Sequence, residues 1–312
     1  MRKTDTAMLS ATATITTSWW KKPSFRKKLV PWLFMLPILL LHFIVIVGPA
    51  TSSLYYSLTE WSGMGAAKFV GLENYRHLLF ENTSFKAALL HNVIWLAFFL
   101  TVPFFMALLG ASQLAPIRRG GMFFRTALFV PYVLPGIIAA NLGRYFLSPR
   151  LGIGAQLAKI GIKGLDIAYL GNPKTALLSV AFIDNWHYWG FLMVLFLTAM
   201  QSIPKELYEA ARIDGASRRQ EFLHITLPGI RPTVVFMFLM MAIWSVLVFE
   251  YVWILTQGGP AGATEVLGTM VYKQAFTRFN AGYAAAIGLS MSFLAAIFLS
   301  IYGILKRRGW DI

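Results

Sequence analysis

Apolar residues in this 312-residue chain gather into six long blocks, at residues 29–57, 88–110, 123–146, 177–200, 233–255 and 284–305. None alternates as a barrel strand does. Each can cross the roughly 30 Å hydrocarbon layer as a helix of about 20 residues. Backbone polar groups in lipid must be satisfied within the segment, which favours helices. The pattern therefore predicts an all-α, polytopic membrane protein with six transmembrane helices. Pro103, Pro131 and Pro135 lie inside blocks. Each removes a helical donor, so they predict kinks or breaks within spans, and not ends. In the loop after the first block, Leu72, Tyr75, Leu78 and Leu79 have helical spacing, which predicts a short interfacial helix.

Composition agrees: 57% of residues are hydrophobic and 13% charged. A net charge of +15 would suggest nucleic acid in a soluble protein. Here the basic residues flank apolar blocks, which points to anionic lipid and topology setting, with no nucleic-acid partner. The absence of cysteine and the scatter of five histidines predict no disulfide and no metal site. With the N-terminus inside, and with Arg125 and Arg144 near the ends of the third block counted to the inner and outer side respectively, inner segments hold 18 of the 28 Lys and Arg and outer loops hold 10, which predicts both termini in the cytoplasm. A basic segment, 1–28, precedes the apolar run 29–47. That run is longer than the 7–15 residues of a signal-peptide core, so an uncleaved first helix is expected. The transmembrane domain would occupy 29–312.

The polar segment 202–232 carries ordered signals. Ser202 can cap a helix whose first turn holds Pro204 and Glu206. That helix would reach Ile213, and Gly215 stands where a left-handed turn is wanted. Ser217 with Gln220 has capping-box spacing for a second helix, which would end near Thr226, before Pro228. The result is a helix–glycine turn–helix hairpin on the cytoplasmic side. Its charged surface (Glu209, Arg212, Asp214, Arg218 and Arg219) would either dock a partner or rest on lipid headgroups.

Glu209-Ala210-Ala211, Asp214-Gly215-Ala216, Phe222, Ile225, Leu227-Pro228 and Pro232 resemble the EAA loop of bacterial ABC-importer permeases. The resemblance implies a type I ABC importer permease fold, in the bacterial inner membrane. It implies that Glu209, Ala210, Ala211, Arg212, Asp214, Gly215 and Arg218 form the coupling element seated on a cytoplasmic ATPase. Residues 69–75 (Phe-Val-Gly-Leu-Glu-Asn-Tyr), Val130-Pro131-Tyr132 with Pro135, and 255–260 (Leu-Thr-Gln-Gly-Gly-Pro) are similar to carbohydrate-type permeases of the maltose kind. The large outer domain and extra N-terminal helices of some maltose-type members have no counterpart here. The partners so implied are a second, different permease subunit, two ATPase subunits, an extracytoplasmic solute-binding protein and a sugar. The chain contains no Gly-x-x-x-x-Gly-Lys phosphate loop. It is therefore expected to bind no cofactor and to be no enzyme, with ATP and Mg on the partner ATPase.

Polar groups inside membrane helices are costly and usually face a cavity or a partner helix. Asp184 and His187, among Trp186, Tyr188 and Trp189, share a block. At about 1.5 Å per residue Asp184 lies roughly 10–12 Å from the outer end of its helix. Glu250 and Tyr132 lie at compatible depths on neighbouring blocks. Carboxylates beside aromatic faces suit sugar hydroxyls and ring faces. The resemblance places the substrate pathway at Tyr132, Gly136, Asp184, His187, Tyr188, Met241, Trp244 and Ser245, of which Tyr132 keeps the family's residue type. Glu250 would face either the pathway or a partner helix, and Trp189 would serve as a membrane anchor or in packing. Two other readings are weighed. One is an importer of a polyol or glycerol phosphate; a phosphate substrate would want Lys or Arg deep in the blocks, and none lies there. An ATP-independent secondary transporter would show inverted repeats and no docking hairpin.

Overall fold

A computed structural model describes residues 23–308 except 118 and 163, so the first 22 residues of the basic segment lie outside the described residues. Residues 1–52 and 53–312 form two units. Helix α1 (Pro23–His42) continues through one widened turn, Phe43–Val47, into α2 (Gly48–Tyr56). The apolar stretch Val30–Tyr56 is 27 residues long, and its large side chains, such as Trp32, Phe34 and Ile44, are exposed.

The second unit opens with a two-residue antiparallel pair, β1 (Thr59–Glu60) with β2 (Lys68–Phe69). The expected loop helix follows as α3 (Glu73–Arg76), extended by a wide turn to Glu81. Leu78 is its buried contact, while Leu72 and Leu79 are exposed. Helix α4 (Thr83–Phe99) starts where the Asn82 side chain accepts from the Phe85 N–H, which satisfies one orphan donor of the first turn. It is followed by α5 (Val102–Leu114), and together they make a span of 32 residues. The break falls just before Pro103. There the Thr101 N–H turns to Phe98 O, and its hydroxyl takes up Ala97 O at 2.8 Å.

The third block is split far more sharply. Helices α6 (Gly121–Val133) and α7 (Gly136–Phe146) meet at 99° across an extended Leu134 and Pro135. Residues before proline disfavour helical backbone, which explains the position of this corner. After the short α8 (Ile153–Lys159), α9 (Ala176–Gln201) runs unbroken and forms the centre of the larger core. It packs against α5, α6 and α7 and against two later helices. A Cβ on Gly190 would lie 2.0 Å from Leu128 O, so only glycine lets α9 cross α6 this closely.

The hairpin comprises α10 (Lys205–Ile213), α11 (Arg218–Glu221) with a wide turn to Thr226, and α12 (Leu227–Gly229). Ser202 is not the cap of α10. It ends α9, with its hydroxyl donating to Ala199 O, and Pro204 occupies the cap position instead. The fifth block also differs from expectation. It forms α13 (Arg231–Val246), breaks, and resumes as α14 (Glu250–Leu255). The cause is tertiary. Buried Asn92 of α4 donates to Ser245 O at 2.7 Å and Val246 O at 3.3 Å, satisfying carbonyls at the end of α13. Its Oδ1 accepts from the Leu267 N–H, the first residue of α15 (Leu267–Tyr272). Helix α16 (Ala281–Arg307) then packs on α13 and α15. Among the described residues four helices are long and apolar enough to cross a membrane, or six if each bent pair counts as one span.

Candidate functional site

Helices α6, α7, α9, α13 and α14 bring one polar and aromatic cluster together. Asp184 of α9 is fully buried, and its Oδ2 accepts from the Trp244 indole N–H of α13 at 3.4 Å. Its other oxygen, Oδ1, is buried with no hydrogen-bond partner among the described residues, as is the hydroxyl of Tyr251 on α14. Trp244 stacks on Tyr188, with ring centroids 5.5 Å apart and planes 14° from parallel. Tyr188 in turn lies 6.2 Å from Tyr132 of α6, and Tyr132 stacks on Phe191 at 4.5 Å. Three helices thus share one continuous aromatic wall beside a carboxylate.

His187 answers to the corner between α6 and α7. Its Nε2 lies 2.9 Å from Leu134 O. A carbonyl only accepts, so this nitrogen carries the proton and donates. His187 also lies 5.6 Å from Tyr132 and 5.9 Å from Tyr251, ring to ring. It holds the exposed backbone of the corner, a positioning role that its sequence context did not announce. At the same corner the Glu250 carboxylate sits over Gly136. A Cβ there would meet Oε1 at 2.7 Å and Oε2 at 2.8 Å. The carboxylate lies at the start of α7, where helix N–H groups favour negative charge.

Met241 and Ser245 face inward. Both are fully buried, and the Ser245 hydroxyl donates to Met241 O at 2.7 Å. Trp189 packs on α5, since a Cβ on Gly110 would be 3.3 Å from its ring. Asn92 was not singled out from the sequence. An asparagine in an apolar block carries the ordinary signal of a buried polar residue that must have partners, and that signal could have found it.

The loop after α14 is held by another set of polar contacts. Gly258 adopts a left-handed φ of +86°, and a Cβ there would collide with the Glu265 carboxylate. Glu265 pairs with Lys273 and accepts from the Thr269 hydroxyl at 3.2 Å. The Thr264 hydroxyl donates to Gly259 O at 2.7 Å.

The hairpin is a second candidate site. Gly215 has φ +81°, and the N–H groups of Gly215 and Ala216 bond to Arg212 O and Ala211 O, a Schellman-type close. Ser217 and Gln220 form the expected capping box. Arg212 turns back onto buried Glu221 with two N–H···O bonds of 2.8 and 3.3 Å. Through these bonds it holds the Glu221 carboxyl below the usual carboxylate range, and its own guanidinium is raised. The Tyr208 and Thr226 hydroxyls bond at 2.9 Å. A Cβ on Gly229 would touch Ile203 at 2.8 Å, so the base of the hairpin is tightly closed. Arg212 is therefore tied to Glu221, although its side chain stays 64% exposed. Glu209, Ala210, Asp214, Gly215 and Arg218 are exposed and Ala211 is half-buried. Ile213, at the tip, is 87% exposed.

Comparison with known proteins places these features in context. The family described as the inner membrane component of binding-protein-dependent transport systems matches residues 28–310. The probable ABC transporter permease protein YurN of Bacillus subtilis is 38% identical over 266 residues, 84% of this chain and 90% of that protein. The multiple sugar-binding transport system permease protein MsmF of Streptococcus mutans is 32% identical over 282 residues, 90% of this chain and 96% of that one. A crystal structure of a bacterial ABC transporter involved in the import of the acidic polysaccharide alginate contains a chain of the same fold. Its TM-score is 0.81 at 24% identity, over 93% of this chain and 98% of that chain.

Proposed function

This chain belongs to the inner membrane component family of binding-protein-dependent transport systems, and from that premise we propose that it forms half of a pathway for a sugar or oligosaccharide. The observation that carries the reading is the buried Asp184 carboxylate against the Trp244–Tyr188–Tyr132 wall. Carboxylate oxygens accept from sugar hydroxyls, and aromatic faces cover the apolar side of a pyranose ring. The name of the related MsmF points the same way.

In this proposal Tyr132, Gly136, Asp184, His187, Tyr188, Met241, Trp244, Ser245 and Glu250 line or shape the pathway. Substrate reaches Asp184 by displacing the Trp244 indole that caps it. The hairpin seats in a partner ATPase, where Glu209, Asp214, Arg218 and exposed Ile213 make contact and Arg212 keeps the hairpin closed. ATP and Mg are bound and hydrolysed by that partner. A second permease subunit supplies the other half of the pathway, and a solute-binding protein delivers substrate to the outer face. Both termini then lie in the cytoplasm. ATP-driven closure of the ATPases rocks the two halves between inward- and outward-facing states.

The test is reconstitution of this chain with its ATPase, second permease and binding protein in vesicles. Neutral sugars are expected to stimulate ATP hydrolysis, with Asp184→Ala abolishing most of the stimulation. Stimulation by glycerol phosphate and by no sugar would overturn the sugar assignment. Transport without ATP would overturn the importer reading for the assembled chain.

A further inference from the structure

A cavity of about 590 Å³ lies between the loop after α2 and the segment leading into α16, lined by Glu60, Glu73, Asn74, Gln274, Arg278 and Tyr283 among others. By the path of the chain it lies at the end away from the hairpin. Helix α13 leaves the hairpin at Arg231 and ends at Val246 beside Asn92. Asn92 stands in α4, which itself starts at the cavity with Asn82.

The walls are fixed by groups that already have partners. The Tyr283 hydroxyl accepts from Asn82 Nδ2 at 2.7 Å and lies 3.1 Å from His77 Nδ1. Asn74 donates from Nδ2 to Ser57 O and Thr59 O, at 2.8 and 2.9 Å, which leaves its Oδ1 available. Gln274 differs from these. It is only 5% exposed, and its side-chain amide makes no hydrogen bond among the described residues. Its amide atoms are not among the buried, unpaired polar atoms of the described residues, so the head of this otherwise buried side chain opens onto the cavity and presents there a donor and an acceptor that no group of the chain engages.

The remaining inventory says what would supply them. Arg278 makes no ion pair among the described residues. Glu60 and Glu73 reach only loose, exposed pairs, at 3.8 Å to Lys68 and 3.7 Å to Arg76, which contribute little in water. An anion entering here meets two carboxylates, and a metal ion meets a guanidinium. An apolar ligand would find one apolar wall residue, Val70. A neutral polyhydroxylated ring, which donates and accepts at every carbon, satisfies the amide, the carboxylates and the guanidinium at once. The volume also lies within the range of small-molecule sites.

We propose that this cavity binds a neutral sugar unit at the mouth of the protein, separate from the Asp184 cluster, with Gln274 and Arg278 as its principal contacts. The assignment rests on the carbohydrate reading above, and the experiment separates the two. The complete importer, in lipid nanodiscs, is examined by saturation-transfer NMR with maltose and N-acetylglucosamine, with glucuronate and glucose 6-phosphate as anionic comparators. ATP hydrolysis is followed in parallel.

The expected result is transfer to the neutral sugars and several-fold less to the anions. Part of it should survive in Asp184→Ala, and Gln274→Leu with Arg278→Ala added to that variant should remove what survives. Gln274→Glu keeps the shape, adds a third carboxylate and should weaken binding several-fold, which covers the case of a double variant that fails to fold. Equal transfer in wild type and Gln274→Glu, or none from any sugar, would overturn the proposal. So would loss of solute-binding-protein affinity in the variants with sugar transfer unchanged, which would make the cavity a docking socket. Sugar-stimulated ATP hydrolysis without a Gln274-dependent signal would sink this site and leave the carbohydrate reading standing. Absence of stimulation by any sugar would sink the latter.

Discussion

The carboxylate of Glu250 occupies the space that a side chain on Gly136 would need, with Oε1 2.7 Å from the position of its Cβ. The two residues are 114 positions apart, on helices α14 and α7. Gly136 opens α7 just after the 99° corner, and Glu250 opens α14 just after the break in α13. Two interrupted helices therefore meet at their starting turns, glycine against carboxylate.

Gly136→Ala should force the Glu250 carboxylate off the start of α7. Overpacking in a core costs about 1–3 kcal/mol, but here the group that must give way is the end of a flexible, exposed side chain, so the thermal midpoint of the purified importer should fall only slightly. Substrate-stimulated ATP hydrolysis should fall several-fold. Glu250→Ala made in the same chain should recover most of the lost stability, because it removes the clash. Two separate losses that simply add would show that the residues do not meet.

Asn92 serves two helix ends at once, α13 through Ser245 O and Val246 O and α15 through the Leu267 N–H. Asn92→Leu fits an apolar block but leaves these groups unpaired, at about 1–3 kcal/mol each. A destabilisation of roughly 3 kcal/mol or more is expected, read as a lower denaturation midpoint. Asn92→Asp retains the acceptor for Leu267 but loses the donors, and should also be destabilised. A neutral Asn92→Leu would mean that the break in α13 has another cause.

The pH dependence of the hairpin follows from Arg212 and Glu221. Glu221 is held below its ordinary range by the guanidinium. Such a group adds stability that is complete above its unfolded pKa of about 4.3 and is lost as pH falls through the lower folded value. Hydrogen exchange across residues 205–226 should therefore be insensitive to this pair near neutrality and accelerate in acid, beyond the intrinsic pH effect. Glu221→Gln should be looser near neutrality and show no such acid step. An acid step that persists in Glu221→Gln would assign the effect to other groups.

Gly215 stands at φ +81° with its N–H donated to Arg212 O. Proline can meet neither requirement. Gly215→Pro should break the turn, and the ATPase should no longer co-purify from gently solubilised membranes. Gly215→Asn, which tolerates the left-handed region better than other side chains, should keep the ATPase. Retention of the ATPase by the proline variant would mean that the hairpin is not its seat.

The hairpin was legible down to its turn, because glycine at a left-handed position and a Ser–Gln capping box act over three or four residues. The start of α10 was misplaced onto Ser202 for the same reason: Ser202 satisfies the local rule, yet its hydroxyl bonds back to Ala199 O, and Pro204 takes the position. The proline corner at Leu134 was expected as a break, but its angle was not. That angle depends on α9, whose His187 donates to the carbonyl that the corner exposes.

The sequence by itself determined the number and length of the apolar segments and the places where proline and glycine interrupt the chain. It also determined the self-contained hairpin. Each of these follows from transfer of side chains to lipid and from backbone sterics within one turn. Tertiary structure alone decided that the fifth segment breaks after Val246, that Trp244 caps Asp184, and that Glu250 lies on Gly136. Those outcomes depend on polar groups far apart in the chain. Inside a low-dielectric interior each must find its partner across helices, and local propensity carries no record of which helix will bring it.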